Sequence, residues 1–107
     1  MYNNDMAEKG TKIIDCTFVI PKKRGNGTVR REVWLDAHHR VSRYNLAYIN
    51  TRLFAGDHGR VLGFDNAHDF HHKHLYGVVS AFDFISFELV EEMFEAALMD
   101  ILNEARK

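Results

Sequence analysis

Residues 64–74 read FDNAHDFHHKH and hold four of the chain's seven histidines, with two aspartates, an asparagine and a lysine. Three kinds of chemistry suit such a stretch. In the first it is a metal centre. His72-x-His74 on a strand sets two imidazoles on one face, roughly 6–7 Å apart along the chain, and Asp65, Asp69 or His68 can complete a tetrahedral set. His-x-His is a weak motif, and no second pair has fixed ligand spacing, since His38 and His39 are adjacent and point to opposite sides of a strand.

In the second it is an acid–base centre. Histidine titrates near neutral pH, so two imidazoles and a cation suffice for metal-free RNA cleavage. One imidazole takes the 2′-hydroxyl proton and the other protonates the leaving 5′-oxygen. Lys73, Arg60 or another arginine stabilises the phosphorane. By strand alternation Lys73 faces away from His72 and His74, together with His71, unless the chain bulges. In the third reading the stretch is a solvated polar strand in which Asp65 and Asn66 cap a turn by side-chain hydrogen bonds.

The elements that would position these residues follow from hydrophobic period. Residues 11–20 alternate, with Ile14, Cys16, Phe18 and Ile20 on one face and Asp15 and Thr17 on the other, and Pro21 ends them. KKRGNG is a turn, and TVRREVWLD, 28–36, is the second strand of a hairpin. VSRYNLAYINTRLF, 41–54, is a third strand with Tyr44, Leu46 and Tyr48 on one face. After the turn AGDHG, residues 60–66 form a fourth strand with Leu62 and Phe64 facing in. Ala67 to Phe70 make a turn that projects His68 and Asp69, and HHKHLYGVVSAF forms a fifth strand.

The period then changes. Phe87, Val90, Phe94, Ala97, Leu98, Ile101 and Ala105 mark an amphipathic helix. Ser86 is its N-cap, Glu88, Glu91 and Glu92 complement its N-terminus, and Arg106 and Lys107 its C-terminus. The expected fold class is α+β: an antiparallel sheet of about five strands with one C-terminal helix packed on one face. Leu89, Met93 and Leu102 widen the helix's apolar side, which is either all core or in part a surface for a homodimer or other partner.

The 107 residues suit a single domain, 1–107, with 1–10 as a flexible lead-in. No apolar run is long enough to span a membrane, no signal-peptide order appears, and the single Cys16 makes no internal disulfide; the expectation is a cytoplasmic protein without a cofactor. The net charge of −1 conceals a division. Residues 1–60 carry eleven Lys/Arg against six Asp/Glu, and residues 61–107 three against nine. Lys22, Lys23, Arg24, Arg30 and Arg31 thus offer a basic surface for a polyanion such as RNA, or simply a solvated face.

Several of these segments resemble one family. VW at 33–34, RYNLAYI at 43–49 and GFDNAHDFHHKH at 63–74 are similar to the TumE family of bacterial toxin–antitoxin toxins, over most of the chain from about residue 29 to the helix. Asp65, Asn66, His72, Lys73 and His74 match its pattern. His71 stands where an aspartate is expected, and Asn45 where a basic residue is expected. The resemblance implies a toxin paired with a helix-turn-helix antitoxin. The ribonuclease chemistry is inferred from His72, His74, Asp65, His68 and Lys73 themselves, with Asn66 and the five basic residues as binding groups. The rival classes are a non-catalytic regulatory or nucleic-acid or protein interaction module, and a metal-dependent enzyme holding its ion through His72, His74, His68 and Asp65.

Overall fold

The computed structural model describes residues 10–105. The fold is α+β: six antiparallel strands in sequence order and one C-terminal helix. The strands are β1 (Thr11–Val19), β2 (Thr28–Leu35), β3 (Val41–Ile49), β4 (Arg60–Asp65), β5 (His72–Leu75) and β6 (Val78–Ala81), followed by α1 (Phe87–Ala105). Arg106, Lys107 and all of the expected flexible lead-in except Gly10 lie outside the described residues.

The sixth strand corrects the expected five. Tyr76 and Gly77 have φ of 47° and 81°, so they form a two-residue left-handed turn, and Leu75 pairs with Val78 across it. Such a turn matches the twist of a tight hairpin, and Gly77 reaches it without strain. The expected third strand is shorter than 41–54. It ends at Ile49 because Asn50, which is buried, turns the chain: its Oδ1 accepts the N–H groups of Arg52 and Leu53, and its Nδ2 donates to Gly25 O and Tyr48 Oη.

One face of the sheet is core. Tyr44, Leu46 and Tyr48 of β3 and Leu62 and Phe64 of β4 are buried against Val90, Phe94 and Ile101 of α1. Phe64 meets Phe94 and Phe82 edge-on, with ring centroids 6.3 and 5.5 Å apart. Ser86 caps α1 as expected, its Oγ accepting Leu89 N–H at 3.1 Å. The helix packs against β3 and β4. Beyond it, Phe18 of β1 is 58% exposed, and an open apolar groove runs between it and Leu98. Of the residues that widen the helix's apolar side, Met93 and Leu102 are half-buried and pack against this core.

The other face of the sheet is polar. Cross-strand register sets Asp15 beside Glu32, Glu32 beside Asn45, Asn45 beside Asp65, and Asp65 beside His72. The end of β4 is pinned by Asn66, whose Oδ1 accepts Tyr44 N–H and whose Nδ2 donates to Ser42 O, both at 3.0 Å. That amide continues the β3–β4 ladder after the backbone has turned away. Asn66→Ala leaves both β3 groups without these partners, so urea unfolding should show a loss of about 1–3 kcal/mol.

Candidate functional site

The parity of β5 decides which histidines meet. His72 and His74 pair with Asp65 and Gly63 and lie on the polar face, while Lys73 pairs with Phe64 and lies on the core face. His72, His74 and Asp65 are all buried. Asp65 is the hub. Its Oδ1 accepts Ala67 N–H at 3.1 Å and faces His72 Nε2 at 2.9 Å, and its Oδ2 faces His74 Nε2 at 3.0 Å.

The far nitrogens distinguish the two imidazoles. His72 Nδ1 lies 3.0 Å from the Phe70 carbonyl. Both nitrogens of His72 thus face oxygen atoms, the Asp65 carboxylate on one side and the Phe70 carbonyl on the other. His74 Nδ1 instead receives Arg60 Nη2–H at 3.1 Å. Arginine only donates, so Nδ1 carries the lone pair and Nε2–H donates to Asp65. Burial, helped by the positive charge of Arg60, holds His74 below its ordinary pKa of 6.5, against the opposing pull of Asp65. The result is a neutral imidazole oriented by a carboxylate, with its free lone pair beneath a guanidinium.

Arg60 reaches this position through two local devices. Ile49 pairs with Arg60 while Tyr48 pairs with Leu62, so Val61 is an extra residue, a bulge. The bulge lets Val61 and Leu62 both bury and turns Arg60 onto the polar face. Gly63 then leaves room for the side chain, because a Cβ there would lie 2.9 Å from Arg60 Cδ. Asp57 Oδ2 accepts Arg60 Nε–H at 2.8 Å and holds the guanidinium from its other side.

The remaining expected site residues lie elsewhere. Lys73 sits over the Phe64 ring at 5.7 Å, on the core side, as alternation required. His68 is exposed on the short 3₁₀ turn Ala67–Asp69 and does not join Asp65, His72 and His74. Asn66 is a backbone pin. Arg30 and Arg31 face opposite ways: Arg30 pairs with Asp15 and Glu32 on the polar face, and Arg31 pairs with Glu91 of α1. Lys22, Lys23 and Arg24 form an exposed turn, and Arg24 lines a cleft with Met99 and Leu102 on the helix side. The five basic residues therefore make no single surface. His71 is no bystander, since its Nδ1 accepts the Tyr44 hydroxyl at 2.8 Å and its ring stacks on Phe84 at 4.1 Å. Burial raises the Tyr44 pKa well above its ordinary value and lowers that of His71, which suits a phenol donating to a neutral imidazole.

Arg60 contacts His74, and Glu32, Asn45 and Trp34 share a groove with Asp65. Glu32 and Asn45 are bonded to each other at 3.0 Å and line two adjoining grooves on the polar face.

Asp65, His72 and His74 offer ligand atoms within 4.8 Å of one another, the two-histidine, one-carboxylate set of many metal centres. His72 has the right support, since a ligating imidazole normally donates its other N–H to an oxygen. His74 has the wrong one. A neutral ligand bound through Nε2 needs a proton on Nδ1, where Arg60 already points its own N–H. The guanidinium also lies 3.9 Å from Asp65 Oδ2, so its charge opposes a second cation there. The donor set does not fit a metal with Arg60 in this place.

Comparison of the chain with protein-family models, with curated proteins and with solved structures finds no match.

Two predictions follow from the protonation pattern. His71 and His74 both have folded pKa values below 6.5, so the unfolded chain binds more protons as the pH drops. Their contribution is complete above about pH 6.5 and is lost as pH falls from there through their lower folded values. Thermal melts should show a declining Tm from about pH 7 to about pH 5, with a shallower decline in His71→Gln. Gly63→Ala should displace Arg60 while leaving the fold intact. NMR titration should then find the His74 pKa raised relative to the parent protein; an unchanged value would mean that Arg60 does not act on it.

Proposed function

We propose that the protein is the toxin of a bacterial toxin–antitoxin pair and cleaves RNA without a metal, with His74 as base and Arg60 as the phosphate-binding cation. The observation that carries the chemical part is the order Asp65–His74–Arg60: carboxylate, neutral imidazole, lone pair, guanidinium. The toxin assignment and its partner, a helix-turn-helix antitoxin, rest on the resemblance in 33–34, 43–49 and 63–74, and a cytoplasmic location accompanies them. Among the described residues no helix is long and apolar enough to cross a membrane.

The steps use Arg60 and His74, which are in contact, and His58, which lines the same groove as Arg60. An RNA phosphate draws Arg60 off His74 Nδ1, because a phosphate is a stronger partner for guanidinium than a neutral nitrogen. The uncovered lone pair takes the proton of the 2′-hydroxyl, the 2′-oxygen bonds to phosphorus, and the bond from phosphorus to the 5′-oxygen breaks. His58, which lines the same groove as Arg60, gives a ring proton to the leaving oxygen. The products are a 2′,3′-cyclic phosphate and a 5′-hydroxyl, and solvent returns the protons. His72 transfers no proton in this scheme; its two hydrogen bonds hold Asp65 in place.

One observation favours the non-catalytic alternative, a nucleic-acid or protein interaction module. Among the described residues every buried side-chain nitrogen and oxygen has a partner, so the cluster is also complete as a structural brace.

The decisive experiment is purified protein with RNA, scored for 2′,3′-cyclic phosphate ends, beside induction in a bacterial host with and without the neighbouring gene. His74→Ala should lower cleavage by about 10²–10⁴-fold, and Arg60→Gln by about 10²–10³-fold. The rate should rise with pH along a limb whose midpoint lies below 6.5, and chelator should change nothing. Cleavage that survives His74→Ala, or that only added metal restores after chelation, would exclude the scheme. Arrest of growth without RNA cleavage would leave the interaction module as the function.

A further inference from the structure

We propose that the groove between β1 and α1 is filled by a second copy of this chain, in a two-fold dimer whose helices lie antiparallel about Met99. The proposal does not depend on the chemistry at Asp65, because that cluster lies on the opposite face of the sheet. α1 packs chiefly against β4 and β3, which leaves the helix side of β1 open. The result is a groove of about 340 Å³ between Phe18 of β1 and Phe94 and Leu98 of α1. A cleft of about 330 Å³ adjoins it, between Val19 and Ile20 on one side and Met99 and Leu102 on the other. Phe18, Val19 and Met99 are all exposed, so apolar surface extends from the groove onto both of its walls.

Charge decides the occupant, because the two ends of this strip carry opposite signs. Beside the C-terminal half of α1 stands the exposed turn Lys22–Arg24, and Arg24 lines the cleft with Met99, Leu102 and Asn103. Along the N-terminal half Glu88, Glu92 and Glu95 are exposed, and Glu95 lines the groove. At about 100° per residue these three glutamates share one flank of the helix with Met99. Asp100 lies about 160° around the helix from Leu98, away from the groove. Within the groove Arg31 and Glu91 already pair with each other. Arg24 and Glu95 differ: among the described residues neither charged group has an ion pair or a hydrogen bond.

A basic segment is repelled at the Lys22–Arg24 end, an acidic one at the glutamates, and a wholly apolar one leaves both ends without a partner. A second copy meets both. In a two-fold contact residue i meets j and j meets i, so a surface need only complement itself. Glu95 and Asn103 stand four residues either side of Met99, about 6 Å along the helix axis. With the helices antiparallel about Met99, Glu95 of each copy faces the Asn103 end of the other, where Arg24 lines the cleft. The Arg24–Glu95 contact then forms twice. Over the roughly 28 Å length of α1 and about 20 Å from β1 across the helix, the strip covers on the order of 600 Å² per copy. Two copies bury on the order of 1,200 Å², the lower limit of a specific interface, so the dimer is a concentration-dependent equilibrium rather than an obligate unit.

Sedimentation equilibrium of the full chain from about 1 μM to about 1 mM should show monomer passing to dimer. Arg24→Glu and Glu95→Lys change exposed side chains and should leave the monomer's circular dichroism as it is. Either variant alone sets like charges together twice in the dimer and should weaken it about tenfold or more. Mixed in equal amounts, the two variants should associate again, as a heterodimer in which both contacts regain opposite signs. Met99→Asp, at the axis, should weaken the dimer about tenfold or more in a folded chain. A protein still monomeric at about 1 mM would overturn the proposal. A dimer indifferent to Met99→Asp would overturn it too, since the contact would then lie elsewhere. Single reversals that weaken the dimer without recovery on mixing would overturn the antiparallel arrangement.

Discussion

A single carboxylate organises the polar half of this fold. Asp65 ends β4, is buried, and would be costly as an isolated charge. It is tolerated because His72, His74 and the Ala67 N–H all converge on its two oxygens. Those three contacts fix the end of β4, the start of the turn and the position of β5, so the geometry of the site and the closure of the sheet edge are the same problem. Asn66, next in sequence, solves the remaining part by pairing with the β3 backbone.

The second constraint is parity. A strand turns successive side chains to opposite faces, and here the helix covers only one of them. The run His71-His72-Lys73-His74 is therefore divided between two environments. His71 and Lys73 serve the core side, through Tyr44, Phe84 and Phe64, while His72 and His74 meet Asp65. The same rule splits Arg30 from Arg31 and sends the latter to Glu91 on the helix. A cluster of like residues in sequence is thus weak guidance to a cluster in space whenever a strand carries it.

What the sequence made legible follows from that rule. Four of the alternating segments, the Leu62 and Phe64 core positions, the Ser86 cap and the shared face of His72 and His74 are all readable from the local sequence. The sixth strand was not, because VV flanks the Tyr76–Gly77 turn as smoothly as a continuous strand would; only Gly77 signalled a break. Arg60 was visible as a nearby cation but not as the partner of His74. The bulge at Val61 reverses the parity that would otherwise place it, and a bulge depends on cross-strand register, which one strand's sequence does not contain. The Glu32–Asn45 pair joins residues from different strands, and Trp34 reads as an ordinary strand aromatic until the groove beside it is known.

The position of Arg60 bears on what kind of centre the cluster can be. A carboxylate and two imidazoles are a generic set, equally suited to an ion, to proton transfer or to bracing a sheet edge. The contact that narrows these comes from outside the histidine-rich stretch. A guanidinium on His74 Nδ1 forces the ring's proton to the Asp65 side, disfavours a further cation, and leaves the lone pair covered by a group that phosphate can attract. Its placement requires the Val61 bulge, the missing Cβ of Gly63 and the anchor of Asp57 together. As a brace the cluster also uses this arginine, because Arg60 gives the buried His74 Nδ1 its partner. The bulge, the missing Cβ and the Asp57 carboxylate together place one guanidinium where it lines a groove and covers the imidazole that the proposed chemistry uses as its base.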